Sequence, residues 1–449
     1  MSNRIVLIGA GSAQFGFDML GDIFQSAPLA EAEVVLHDID ELALARVKRA
    51  GDQFISDHGL KVRLLATTDR SEALQGASFC VISIEVGDRF ALWEQDRTIP
   101  QQFGFRQVFG ENGGPGGLFH SLRVVPPILE ICADIERICP DAWVFNYSNP
   151  MSRICTTVHR RFPDVKLVGL CHEIASLNQH LPKMLDTSMA NIEFRAGGLN
   201  HFSVLVEARY RDSGKDAYQD VLERAPDYFE NLPAFGSILK QLTDQEAGST
   251  PGSEPALREG ASAWAERGVF RELIDKFRVL PITTDSHIGE YVQWAHDAAD
   301  HKGILDFYIY YKKWVMRGDP QIRETRTERL VEIIEGMLLD RRYEEAAVNI
   351  PNRGLIPSLP EFMVVEVPAW VDASGIDGIP LDAMPKGFAG LLSNQVAVHD
   401  LTAEAILNAS KEAAIQALLV DVNVDRVAPV ADMVDMMISQ QAEYLGYLK

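Results

Sequence analysis

The stretch "RIVLIGAGSAQFG", Arg4 to Gly16, is where the fold declares itself. A short apolar run stops at Gly9-Ala10-Gly11-Ser12 and a helical pattern starts there, so a buried strand feeds a helix through a glycine turn. A dinucleotide pyrophosphate needs such a place, with close backbone approach and free N–H groups at a helix start. Alone the motif says little, because the third glycine of the fingerprint is missing: Gln14 occupies its position and the next glycine is Gly16. Asp38 strengthens it. This residue closes a second strand pattern, "EVVLHDI", about 20 residues on, where a carboxylate accepts both ribose hydroxyls and repels a 2′-phosphate. Gly9, Gly11, Ser12 and Asp38 are therefore expected to hold NAD rather than NADP.

Outward from this turn, strand-like runs alternate with helical patterns. A helix near 12–26 is followed by "EVVLHDI", a helix near 41–58, "VRLLATTD", "FCVISIEV", "AWVFNY" and "KLVGLC". That alternation calls for an α/β fold, a Rossmann-type doubly wound parallel sheet with helices on both faces, over residues 1–190. Residues 191–449 are expected to form a second, α+β domain. Here "IEFRAGGLNHFSVLVEARYRD" reads as two longer strands, and helical patterns fill much of 215–349. A segment dotted with Pro and Gly runs from 350 to 389, and "TAEAILNASKEAAIQALLV" is a last helical stretch. No internal repeat or clear linker interrupts the chain, so the two parts are expected to share a large interface.

Charge and composition narrow the partners. A formal net charge of -22 disfavours nucleic acid and anionic membranes, which need clustered Lys and Arg, and leaves a small molecule. No window of about 20 apolar residues suits a membrane span, and no secretory signal pattern opens the sequence. Five cysteines, an odd number in 449 residues, do not read as a disulfide framework. A cytoplasmic protein with reduced thiols is expected.

Two clusters hold the candidate chemistry. Cys171 in "CHEI" follows a probable strand and reads as a nucleophile, a metal ligand or a buried thiol; His201 stands in "GLNHF" at 198–202. A thiolate ligand taken by itself suggests zinc. Cys80, Cys132, Cys139 and Cys155 sit in apolar patterns and read as structural. Glu111, in "FGENGGPGG", is either a site carboxylate or a solvated loop residue.

Taken together, Gly9-Ala10-Gly11-Ser12, Asp38-Ile39-Asp40, "GPGGLFHSLR" at 114–123, "NYSNP" at 146–150, "CHEI", "GLNHF" and "NRGLIPSLPEFMVVEVP" at 352–368 resemble family 4 of the glycoside hydrolases. The resemblance implies a fold similar to lactate and malate dehydrogenases, NAD and Mn²⁺ as cofactors, and a homo-dimer or homo-tetramer. It also implies an exception to two-carboxylate glycoside hydrolysis: transient oxidation at the sugar's carbon 3, removal of the proton on carbon 2, elimination, addition of water and reduction.

By the same resemblance, Cys171 and His201 ligate the metal, and Asn149 meets substrate hydroxyls, although the head of a helix before Pro150 also suits a plain N-cap. His172 occupies the position of a leaving-group acid that is Asp in some phospho-sugar members. The segment "LPITTDSHIGEY" at 280–291 resembles the one that supplies the base; Asp285 is chosen, with His287, Glu290 and Tyr291 as neighbouring site candidates. His172-Glu173-Ile174 stands where phosphate-handling members carry Asp-Met-Pro or Asn-Val-Pro, which implies an α-glucosidase acting on unphosphorylated sugars. The alternatives are an α-galactosidase, an α-glycosiduronase, or a 2-hydroxyacid dehydrogenase of similar fold.

Overall fold

The computed structural model describes residues 3–12, 15–234, 236–237, 264–316, 321–323 and 328–449. Strands β1 (Arg4–Ile8), β2 (Glu33–His37), β3 (Arg63–Thr67), β4 (Phe79–Ile82), β5 (Trp143–Asn146) and β6 (Lys166–Gly169) pair in parallel in the order β3-β2-β1-β4-β5-β6. Successive side chains alternate between faces, so Ile5 and Leu7 enter one core while Val6 and Ile8 enter the other. The strand order reverses between β1 and β4, which opens a crevice beyond their carboxyl ends. The helix Glu41–His58 has the expected bounds: the Asp40 carboxylate accepts from the Leu42 and Ala43 amides, and Gly59 ends it in the left-handed region.

The second half continues the same sheet. β7 (Ile192–Leu199) and β8 (Phe202–Tyr210) form a hairpin, and β9 (Tyr343–Pro351), β10 (Val364–Asp372) and β11 (Gly375–Gly378) complete an eleven-stranded sheet among the described residues. β9 joins β6 at Gly169 and Asn349, and β10 joins β7 at Glu366 and Gly198. Packing also crosses residue 190, since the core holding Val6 and Val144 includes Ala405, Leu418 and Met437. Residues 1–190 and 191–449 are thus two stretches of sequence sharing one sheet and common cores.

Two local expectations need correction. β9 to β11 lie where a helical pattern and an irregular segment were read. β9 begins "YEEAA", residues that favour helices, and β10 carries Pro368 where its register shifts between Val367 and Ala369, a bulge that tolerates the missing N–H. The last helical stretch is two helices, Val396–Leu407 and Lys411–Val420. Ala409 breaks them with φ 53°, and the Ser410 hydroxyl caps the second. No described helix is long and apolar enough to cross a membrane.

Candidate active site

At the crevice, Gly9 turns the chain with φ 86°; its amide and that of Ala10 donate to the His37 carbonyl at 2.9 and 3.1 Å. The Gly11 amide donates to Asp38 Oδ2 at 2.7 Å, so Gly9, Gly11, Ser12 and Asp38 share one turn. A Cβ on Gly9 would lie 2.0 Å from the Ser83 carbonyl oxygen, and one on Gly16 would lie 2.2 Å from that of Ala10. Gly16 therefore does the work of the missing third glycine, letting the helix Phe15–Phe24 close on the turn. Gln14 lies outside the described residues, and the described helix opens at Phe15 rather than Ser12.

Cys171 follows β6, and its Sγ stands 3.6 Å from His201 Nε2. His201 sits in the two-residue turn between β7 and β8 with φ 62°, a left-handed backbone that disfavours any residue with a Cβ. Thr283 donates to its carbonyl at 3.0 Å, and its buried Nδ1 has no partner among the described residues. One carboxylate joins the two ligand candidates: Glu366 accepts from Asn200 at 3.1 Å, Ser203 at 2.6 Å and Asn349 at 3.3 Å. Asn349 pairs with Gly169, so Glu366 fastens the strand before Cys171 to the turn bearing His201.

Burial pushes the Cys171 thiol well up, helped by Glu366 and Glu173, and pushes the His201 imidazole well down, helped by His287 and His172. The site therefore holds an unionised thiol and a neutral imidazole unless a cation joins them. Glu173 and His287 complete the cluster: their ligand atoms and that of His201 lie within 4.8 Å of one another. A thiol, two imidazoles and a carboxylate are donors that suit a divalent transition metal. His287, expected at the substrate, also stands 4.0 Å from Glu111 and donates to or accepts from the Ser286 hydroxyl at 3.0 Å.

Glu111 is buried and paired with Arg89 at 3.0 Å, which fits a site carboxylate and not a solvated one. Its loop is held by Glu290, which accepts from the amides of Gly110, Glu111 and Asn112 at 2.5, 2.7 and 2.8 Å. Burial raises Glu290 to about 8. Tyr291 stacks on Phe202, with centroids 4.9 Å apart. Asn149 does not cap the helix Met151–Arg161, whose N-cap is Pro150, and its buried Oδ1 has no partner among the described residues.

Of the two expected catalytic residues, Asp285 is engaged elsewhere and His172 stands beside the cluster. Asp285 is fully buried and accepts from the amides of Gly268 at 2.7 Å, Asp300 at 3.0 Å and Phe270 at 3.1 Å. Its carboxylate caps the helix Gly268–Glu272 and is occupied structurally. His172 is exposed, whereas Glu173 beside it belongs to the cluster. Glu173, Asn349 and Glu366 were not singled out from sequence. The available signal was a glutamate inside an apolar strand, "VVEVP", and another in "CHEI" itself.

A nucleotide-type sheet with a cation-type cluster at its edge defines an enzyme that combines a dehydrogenase scaffold with metal-assisted chemistry. The chain matches the family model described as family 4 glycosyl hydrolase over residues 4–187, and that of the family's C-terminal domain over residues 196–424. It belongs to family 4 of the glycosyl hydrolases. It is 57% identical to an α-glucosidase of Erwinia rhapontici over 455 aligned residues, covering 100% of both chains. Its fold is shared with a 6-phospho-α-glucosidase from gut microorganisms solved in complex with NAD and Mn²⁺, at TM-score 0.79 and 19% identity over 100% of both chains. The fold is also shared, at TM-score 0.52 and 13% identity over 91% of this chain and all of the other, with Cryptosporidium parvum malate dehydrogenase.

Proposed function

We propose that this glycoside hydrolase cleaves unphosphorylated α-glucosides, with NAD on the glycine turn and Mn²⁺ held by Cys171 and His201. The observation that carries the reading is the 3.6 Å contact between Cys171 Sγ and His201 Nε2, with Glu173 and His287 around it. Full-length identity of 57% to an α-glucosidase supports the substrate class. When bound, NAD supplies a reversible hydride acceptor and the divalent cation a Lewis acid.

The chain's own residues do the rest. The Gly9–Gly11 turn, free of side-chain bulk at Gly9 and Gly11, lets the pyrophosphate approach the backbone at the start of the following helix, and Asp38 holds the ribose. Asn149 and Glu111 hold hydroxyls of the glycone. Cys171 and His201 would hold the divalent cation, which would supply Lewis-acid polarisation of the substrate. His287, with Glu111 4.0 Å behind it to stabilise the imidazolium, takes the proton from carbon 2. Glu173, in place of His172, gives a proton to the departing glycosidic oxygen. Residues 1–190 supply the nucleotide site and Cys171; residues 191–449 complete the cation and substrate site. Five free cysteines suit a reducing cytoplasm, and a homo-dimer or homo-tetramer is the proposed assembly.

The test is cleavage of nitrophenyl α-glucoside against its 6-phosphate and its β-anomer, with NAD, Mn²⁺ and a reductant, run in deuterated water. Preference for the neutral α-glucoside and deuterium on carbon 2 of the released sugar are expected. Preference for the phosphate or the β-anomer overturns the substrate. A wild type showing neither solvent deuterium nor a primary isotope effect with carbon-2-deuterated substrate overturns the elimination route.

A further inference from the structure

The helices Met151–Arg161 and Val396–Leu407 pack on each other, and Ile154, Val158, Ala405 and Ile406 place them in one apolar core. Arg153 breaks that pattern. It is among the largest fully buried side chains, 1% exposed, and its Nε, Nη1 and Nη2 all lack a partner among the described residues. The facing helix shares the deficit. His399, close enough for the guanidinium to lower its imidazole, has a buried Nδ1 without a partner. Gln395 lies one turn earlier on the same helix face, with its carbonyl accepting from the His399 amide at 3.0 Å, and neither atom of its buried side-chain amide is bonded. Buried polar groups are nearly always paired, and a buried charge without a partner is strongly destabilising. Three such side chains on two packed helices point to something that bonds them.

Charge narrows what that is. Asp421, Tyr291 and Glu290 are the acidic groups that act on Arg153, and none accepts a hydrogen bond from it. The Asp421 carboxyl is engaged by the Asn423 amide at 2.9 Å and by the Gly114 amide, and Glu290 by the loop amides already described. Burial pushes both carboxyls up, Glu290 to about 8, so they carry less negative charge than their number suggests. Burial and Arg153 together bring His399 down to about 3, which leaves it neutral. The guanidinium itself stays protonated. Water would satisfy its N–H groups and leave the charge uncompensated in a low-dielectric interior. A divalent oxyanion would overcompensate a single guanidinium and face two carboxyls. A halide matches one positive charge and accepts from several N–H groups at once.

We propose that Arg153, with Gln395 and His399, binds a monovalent halide that pins the helix Met151–Arg161 to the helix Val396–Leu407. The pin lies under the active site: Asn149 precedes the first helix, and the hydroxyl of Ser152, beside Arg153, accepts from the Asn200 amide at 3.1 Å. Its test uses the full chain with NAD and Mn²⁺, prepared throughout in gluconate. Against gluconate at equal ionic strength, chloride should raise Tm saturably, by about 3 °C at about 100-fold excess over Kd. Crystals grown in bromide should show an anomalous peak within hydrogen-bond reach of Arg153. Arg153→Met should abolish the chloride-specific rise. Gln395→Glu, which brings a carboxylate of its own to the site, should abolish it as well, and decides the matter if Arg153→Met does not fold. Equal melting of the wild type in the two salts would overturn the proposal, as would bromide at the surface alone or only water at Arg153. A bromide peak with no chloride effect on Tm would be an adventitious ion only and would also overturn it. So would a full chloride response in either folded variant.

Discussion

The glycine turn and the cation cluster are built from opposite materials. The turn uses Gly9 to Ser12, Gly16 and Asp38, and works through a backbone packed so closely that a side chain at Gly9 or Gly16 would collide. The cluster draws Cys171, Glu173, His201 and His287 from three separate segments and works through side chains. At the first, adding a Cβ to Gly9 or Gly16 does the harm; at the second, the side chain is the function and the backbone is strained to present it, as His201 shows at φ 62°.

The comparison breaks most directly through His201→Ala. Turnover should fall by about 1,000-fold, the scale for removing a group that stabilises developing charge, while NAD binding, followed by fluorescence, stays intact. Loss of NAD binding as well would show that the two regions are not separable. Cys171→Ser, and chelation of the wild type, should behave alike.

Glu173→Gln sharpens the roles inside the cluster. A lost proton donor should cost about 100-fold on a disaccharide and under about 10-fold on nitrophenyl glucoside, whose leaving group needs little help. Equal losses on the two would assign Glu173 to the cation instead. Gly9→Ala probes the other region: a strained φ of 86° and a Cβ at 2.0 Å from the Ser83 oxygen should weaken NAD affinity by about 10- to 100-fold. Mn²⁺ binding, read by electron paramagnetic resonance, should be unaffected.

The smallest effect on catalysis belongs to Asp285→Asn. An amide in place of a carboxylate that accepts three backbone N–H bonds should cost about 1–3 kcal/mol in denaturant unfolding. Its kcat should stay within about threefold of wild type, as for a group outside the proton path. A fall of about 100-fold in kcat at unchanged stability would return it to the role of base.

The half of the fold governed by local pattern was legible in sequence. Period-two strands and a capped helix at 41–58 need only near neighbours, and Gly9, Gly11 and Asp38 announce their turn by spacing. Gly16 was misjudged because the fingerprint counts positions, whereas packing asks only which Cβ would collide. The cluster was legible as residue types at Cys171 and His201. His287 was legible only as a substrate-side candidate and Glu173 not as a site residue, because the two meet across the fold. Asp285 failed for a related reason: sequence shows a carboxylate near a helix start, and only tertiary structure shows that the helix it caps lies 15 to 17 residues earlier. β10 was hidden by Pro368, which reads as a breaker until a bulge accommodates it.

The seam at β6 and β9 also sets an order of assembly. Asn349 meets Gly169 across 180 residues of chain, and Glu366 meets Asn200 across 166. During synthesis the six parallel strands precede both contacts, so β6 waits as an open edge beside Cys171, a template for pairing with another chain. Non-local closure of this kind is slow. The residues that seat Cys171 and His201, Asn349 on β9 and Glu366 on β10, therefore arrive with the late hairpin whose first strand closes the open edge.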